Sequence, residues 1–158
     1  MNDNGHQKTN QTKQSKQDRP IVCRGIRGAT TVGENTREAV LDATREMLTR
    51  IVEANGVAPD DIASVIFTTT MDVNAEYPAL AARQLGWHDV ALMCGHEMAV
   101  PGALKMCIRV LVHWNTTLNN SEIQHVYIRG AVNLRPDRSI QLKDQVKQTK
   151  TAEKQEAN

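Results

Sequence analysis

The sequence predicts an α+β domain, a mixed sheet of about five strands with one long helix on one face. Two patterns carry that prediction. Val40, Leu41, Thr44, Met47, Leu48, Ile51 and Val52 recur at helical spacing and form one apolar stripe. Elsewhere, short segments rich in Val, Ile and Thr alternate apolar residues and are bounded by turn formers. A third observation follows from the first two. One long helix and one short one cannot cover both faces of five strands, so one face must meet water or another chain.

Each element has its own local reason. Ile21 to Ile26 reads as the first strand. Asn35 offers an N-cap, and Glu38 stands three residues on, as in a capping box. The apolar stripe then predicts a helix of roughly twenty residues, ended by Gly56 as a left-handed C′ residue. Ala58 to Ile62 reads as a helical turn, and Val65 to Thr69 as a strand. Pro78 suits the first turn of a short helix that runs to about Leu85 and stops at Gly86. Asp89 to Cys94 is another strand. Gly102 to Trp114 fits either period, since Leu104, Cys107, Ile108, Leu111 and Val112 also make a helical stripe. Its Val and Ile content and its flanking turns favour a strand. Asn119 to Ser121 forms a turn, Val126 to Ile128 the last strand, and Gly130 to Arg138 a compact loop.

The chain of 158 residues suits one domain. Residues 1–20 and 143–158 are polar and nearly free of apolar side chains, so both are expected to be disordered tails around a domain spanning 21–142. The net charge of +1 hides a division: the tails carry the basic surplus, and the segment 21–142 has a net charge of −2. An anion site in such a domain must therefore be local, built from a few converging arginines. The same balance argues against nucleic-acid binding. No apolar run is long enough to span a bilayer, and no apolar segment near the start resembles a secretory signal. Cys23, Cys94 and Cys107 are an odd number without CxxC spacing. That disfavours a disulfide framework or a zinc site and points to a reducing cytoplasm. The five histidines form no metal-binding pair, and no metal site is expected.

Two phrases stand out, Arg24-Gly25-Ile26-Arg27-Gly28-Ala29-Thr30-Thr31 and Cys107-Ile108-Arg109-Val110. In a strand, Arg27 points away from Ile26, and Arg109 away from Ile108. A charged side chain opposite a packed one must reach water, an acid or an anion. With Glu97, Cys94 and Tyr127 also in the pattern, the two arginines suggest a site for a small, multiply charged anion. Taken alone, Cys94 also reads as a small buried apolar residue, Cys107 as structural, Cys23 as inert, and His96 as a surface residue.

These phrases resemble the small monofunctional chorismate mutases of the Bacillus type. The resemblance also rests on Val32, Tyr77-Pro78-Ala79, Arg83 with Gly86-Trp87, and Cys94 with Glu97-Met98. It continues through Lys105-Met106, His125-Val126-Tyr127 and Leu134-Arg135-Pro136-Asp137. It runs from about Ile21 to about Leu142. It implies a ferredoxin-like, chorismate-mutase-like subunit in a barrel-like homotrimer, with active sites between subunits. It also implies a cytoplasmic, cofactor-free isomerase of aromatic amino acid biosynthesis that rearranges chorismate to prephenate. No nucleophile or general base is needed. The protein holds the dianion in its reactive conformer and stabilises charge on the ether oxygen.

By the same resemblance, Arg109 donates to the ether oxygen and Arg27 binds a carboxylate with the Tyr127 hydroxyl. Glu97 and Cys94 meet the ring hydroxyl. Tyr77, Ala79, Leu80 and Arg83 wall the site from the neighbouring subunit, with Met93 beside Cys94, while Leu134 and Arg135 close over it. Leu80 departs from the family, where lysine is common, and Arg83 one turn later offers partial replacement. Two other readings remain open: a trimeric enzyme like the imine deaminases, and a protein that binds a small acid without turning it over.

Overall fold

The computed structural model describes residues 19–135. Both predicted tails fall largely outside that range, as does the end of the predicted 130–138 loop. Arg19 lies within it and pairs with Glu122 at 2.5 Å. The chain forms β1 (Val22–Thr31), α1 (Arg37–Asn55), a 3₁₀ turn (Pro59–Asp61), β2 (Ile62–Thr69) and α2 (Ala79–Gln84). It continues with β3 (Ala91–His96), β4 (Cys107–Thr116), β5 (Val126–Tyr127) and a second 3₁₀ segment (Arg129–Leu134). The strands form one mixed sheet in the order β3-β2-β4-β1-β5. β4 runs antiparallel to both β1 and β2, while β1–β5 and β2–β3 are parallel.

One face of the sheet carries the core. Ile26, Val65, Phe67, Ile108 and Val112 are fully buried on it, against Val40, Met47, Leu48 and Ile51 of α1. Each such side chain contributes about 1.5–3 kcal/mol through burial. β1 runs on from the strand predicted at Ile21–Ile26 through the Arg24–Thr31 phrase, with Gly28 inside it. Gly28 has a packing reason to be there. A Cβ at that position would come within 2.9 Å of Ile51 Cδ1 and Val110 Cγ1, so its absence lets α1 lie close against the sheet.

Two details correct the predicted elements. The α1 N-cap is Thr36, whose hydroxyl accepts from the Ala39 amide at 3.3 Å. Asn35 is engaged elsewhere. Its Oδ1 accepts from the Asn74 and Ala75 amides, and its Nδ2 donates to Asn74 Oδ1, which ties the helix start to the β2–α2 loop. Capping from Thr36 puts Ala39 at the third helical position, so no capping box forms. Further on, the strand predicted over Gly102–Trp114 begins only at Cys107. Met106 has φ +51 and turns the chain, and both oxygens of Asp72 accept from its amide at 3.1 Å. Gly56 ends α1 in the left-handed conformation, at φ 70, as expected.

β5 is only two residues long. Just before the stretch it pairs with, the Arg27 amide donates to His125 Nδ1 at 3.1 Å, so an imidazole takes the place of a strand carbonyl.

Candidate anion site

The sheet face away from α1 is built in rows set by strand register. Tyr127, Ala29, Arg109, Thr68 and Gly95 form one row across β5, β1, β4, β2 and β3. Arg27, Leu111, Ile66 and Met93 form the next. Strand alternation puts both arginines on this face, while Ile26 and Ile108 go to the core. Glu97, just past β3, continues the alternation of Met93 and Gly95, and its amide donates to Thr69 O at 2.8 Å.

Here the face is concave. A cavity of about 380 Å³ is lined by Arg27, Arg109, Arg135, Glu97, Tyr127 and Leu134 among others, with Ala29, Ile66, Thr68 and Leu111 completing its wall and floor. Among the described lining residues, three arginines accompany one glutamate. A domain whose overall charge is slightly negative thus carries a locally positive hollow. The Tyr127 ring is buried with Ala29, Cys107 and Ala131, and Leu134 packs against that group. This small cluster holds the tyrosine and the Leu134 segment at the rim.

Arg109 is the central residue. Its Nε is buried and has no hydrogen-bond partner among the described residues. The nearest acid oxygen, Glu97 Oε1, lies 3.6 Å away, which is an ion pair but too long for a hydrogen bond. That same oxygen accepts the Thr68 hydroxyl. A buried N–H left unpaired costs about 1–3 kcal/mol. An oxygen of a bound anion would satisfy it. The salt bridge between Glu97 and Arg109 is therefore incomplete as a hydrogen bond.

The other site residues read from the sequence lie elsewhere in the same chain. Cys94 points to the opposite face of β3 from Glu97, paired in register with Phe67 and packed at the margin of the core. Burial pushes its thiol up, against the opposing effects of the Ala79 amide and the Arg83 charge. Ala79 is 4% exposed, Leu80 is half-buried, and Arg83 and Tyr77 project outward, Tyr77 at 71% exposure. Met93 sits on the outer strand, 59% exposed. The site residues thus form two groups. Arg27, Glu97, Arg109, Tyr127, Leu134 and Arg135 surround the hollow, while Tyr77, Ala79, Leu80, Arg83 and Cys94 gather around α2.

Cys107 stands two residues before Arg109 on the same face of β4, buried with Tyr127 and Ala131. Burial raises its thiol, with Arg109 acting in the opposite direction. His96 is exposed, as expected, and also contacts the Thr69 hydroxyl at 3.1 Å. Thr68, which the sequence reading does not single out, lines the hollow and donates to Glu97. The signal was present, because alternation from the buried Val65 and Phe67 sends Ile66 and Thr68 to the arginine face. Among the described residues, no three His, Cys, Asp or Glu side chains converge as a metal site requires. No helix there is long and apolar enough to cross a membrane.

The fold is that of an α+β chain with an arginine-lined hollow on one sheet face, a setting suited to a small, multiply charged anion. Comparison with known proteins names the family. A family model for chorismate mutase type I matches residues 23–138. The chain is 52% identical over 117 residues to chorismate mutase AroH of Thermus thermophilus, which covers 73% of this chain and 96% of that protein. It is 43% identical over 121 residues to chorismate mutase AroH of Bacillus subtilis, covering 76% of this chain and 95% of that one. A solved chorismate mutase from Clostridium thermocellum superposes with a TM-score of 0.68 at 49% identity, covering 68% of this chain and 96% of the other. The chain belongs to the chorismate mutase type I family.

Proposed function

We propose that this chorismate mutase binds chorismate in the hollow over β1, β4 and β5 and converts it to prephenate by a [3,3] rearrangement. One C–O bond breaks as one C–C bond forms, so no protein atom bonds to the substrate. The observation that carries this reading is the buried, unpartnered Nε of Arg109 on the wall of a positively charged cavity. That donor meets the ether oxygen as negative charge develops there, the kind of fixed donor that stabilises a transition state. Arg27 holds a carboxylate at one end, with Tyr127 beside it. Glu97 accepts from the ring hydroxyl. Leu134 and Arg135 cover the opening. The arginines hold the flexible dianion in its compact conformer, which removes much of the entropic part of the barrier.

The second group, Tyr77, Ala79, Leu80, Arg83 and Cys94, serves the hollow of a neighbouring subunit in a homotrimer, and Met93 on the outer strand adjoins it. Two features support this. These residues stand apart from the hollow of their own chain, and exposed Tyr77, Met93 and Met98 leave apolar surface for a partner. With Leu80 in the family's lysine position, Arg83 is the basic group on α2 available to a substrate carboxylate. Three free thiols, none of them in a disulfide, suit a cytoplasmic enzyme.

The test is an absorbance assay for loss of chorismate by the purified chain, with product identified as prephenate. Turnover with prephenate as product is the expected result. Saturable binding of chorismate without turnover would replace the reading with that of a binding protein. Sedimentation equilibrium tests the assembly, with three times the chain mass expected.

A further inference from the structure

Glu97 and Arg109 are opposite charges in one cavity, 3.6 Å apart, yet no hydrogen bond joins them. The reason lies in the residue between them. Thr68 is the register partner of Arg109 on one side and of Gly95 on the other. Gly95 has no side chain, and Ala29, on the far side of Arg109, offers only a methyl group. The Thr68 hydroxyl is therefore the polar group immediately beside the guanidinium in that row. It donates to Glu97 Oε1, the carboxylate oxygen nearest Arg109 Nε.

We propose that Thr68 is a positioning residue that holds Glu97 away from Arg109, so that Arg109 stays available for substrate. The inference rests on the reading of Arg109 as a substrate-binding group. The Glu97 backbone is tethered by its bond to Thr69 O, so its side chain can move only by rotating within the cavity. Without the Thr68 hydroxyl, Oε1 faces a buried, unpaired N–H. A shift of about 0.7 Å then makes an ordinary charge-assisted hydrogen bond. That bond would use the Nε–H and neutralise much of the local charge. Each substrate molecule would have to break it before binding.

A cost met on binding, and carried equally into the transition state, raises KM and spares kcat. Thr68→Val, which keeps the shape and removes the hydroxyl, should raise KM about tenfold and change kcat less than about twofold. Thr68→Ser should restore KM to within about threefold of the parent. The decisive comparison is a double-mutant cycle with Glu97→Gln, which removes the charge that Thr68 restrains. In that background Thr68→Val should add less than about twofold, read as KM or as calorimetric affinity for prephenate where turnover is slow.

Parent-like kinetics for Thr68→Val would overturn the proposal. So would an equal loss in the Glu97→Gln background, which would mean that Thr68 touches substrate directly. A fall in kcat at unchanged KM would also defeat it. If Thr68→Val does not fold, Thr68→Ala carries the same comparison. Arg109→Lys is run in parallel. Should that variant be fully active, the underlying site assignment fails; should it be inactive while Thr68→Val is parent-like, only the positioning role fails.

Discussion

Arg109→Lys should separate catalysis from stability in one substitution. Lysine keeps the positive charge but loses the Nε–H and the planar fork that can address two acceptors together. Removing one donor aimed at a developing oxyanion costs roughly 10²–10³ in rate, or about 2.7–4 kcal/mol. The structural cost is much smaller. The Arg109 side chain is 40% exposed, and its ion pair with Glu97 is long at 3.6 Å. Such a pair contributes about 0–1 kcal/mol to folding. The buried Nε has no partner to lose. Stability should therefore change by less than about 1 kcal/mol, while kcat/KM falls at least about a hundredfold. Initial rates of chorismate loss measure the first effect, and denaturant unfolding with circular dichroism measures the second. A folded variant retaining more than about a third of parental activity would refute the assignment of Arg109 to the ether oxygen, since no donor of that value could then have been removed.

Other outcomes follow from the same geometry. Arg109→Ala and Arg83→Ala, each inactive alone, should regain a fraction of activity after verified subunit exchange, because some mixed sites keep both arginines; complete failure would place both side chains in one chain's pocket. Gly28→Ala should cost about 1–3 kcal/mol in denaturant unfolding, since the new methyl meets Ile51 and the stiff Val110 at 2.9 Å; an unchanged midpoint would show that α1 can shift freely. Asp72 supplies a pH signature. The Thr70 hydroxyl, and then the Met106 amide, hold its carboxyl below the usual value despite the opposing effect of burial. A depressed folded-state pKa gives stability that is present above the unfolded value of about 3.9 and lost as pH falls through the lower folded one. Asp72→Asn should flatten that part of the acid unfolding curve, and an unaltered curve would remove Asp72 from the balance.

The sequence made the arginines legible because strand alternation is a hard geometric rule. Ile26 against Arg27, and Ile108 against Arg109, could be assigned to opposite faces without coordinates. The same rule separates Cys94 from Glu97, three residues apart and so on opposite faces of one extended segment. Family likeness had grouped them, and that grouping becomes compatible with the chain's geometry when they serve different hollows. The α1 cap was less legible. Asn35 and Thr36 are both good N-caps, and only the distant Asn74–Ala75 loop, which occupies the Asn35 side chain, decides between them. The start of β4 turned on the positive φ of Met106, a conformation that a methionine does not announce but which Asp72, far back in the sequence, stabilises. Alternation assigns Thr68 to the arginine face, but a threonine among threonines in a strand is not distinguished from its neighbours by residue type.

The imidazole of His125 on the Arg27 amide has a consequence for how this chain avoids its own kind. The order of the sheet leaves β1 with a neighbour on one side along its length and only two residues of β5 on the other. A strand with a free row of amides and carbonyls invites a stranger to pair with it. His125 blocks one such amide. One amide of the arginine-bearing strand is thereby closed to backbone pairing. A substitution such as His125→Leu would unseal that margin, and its first symptom should be concentration-dependent aggregation rather than a change in the chemistry.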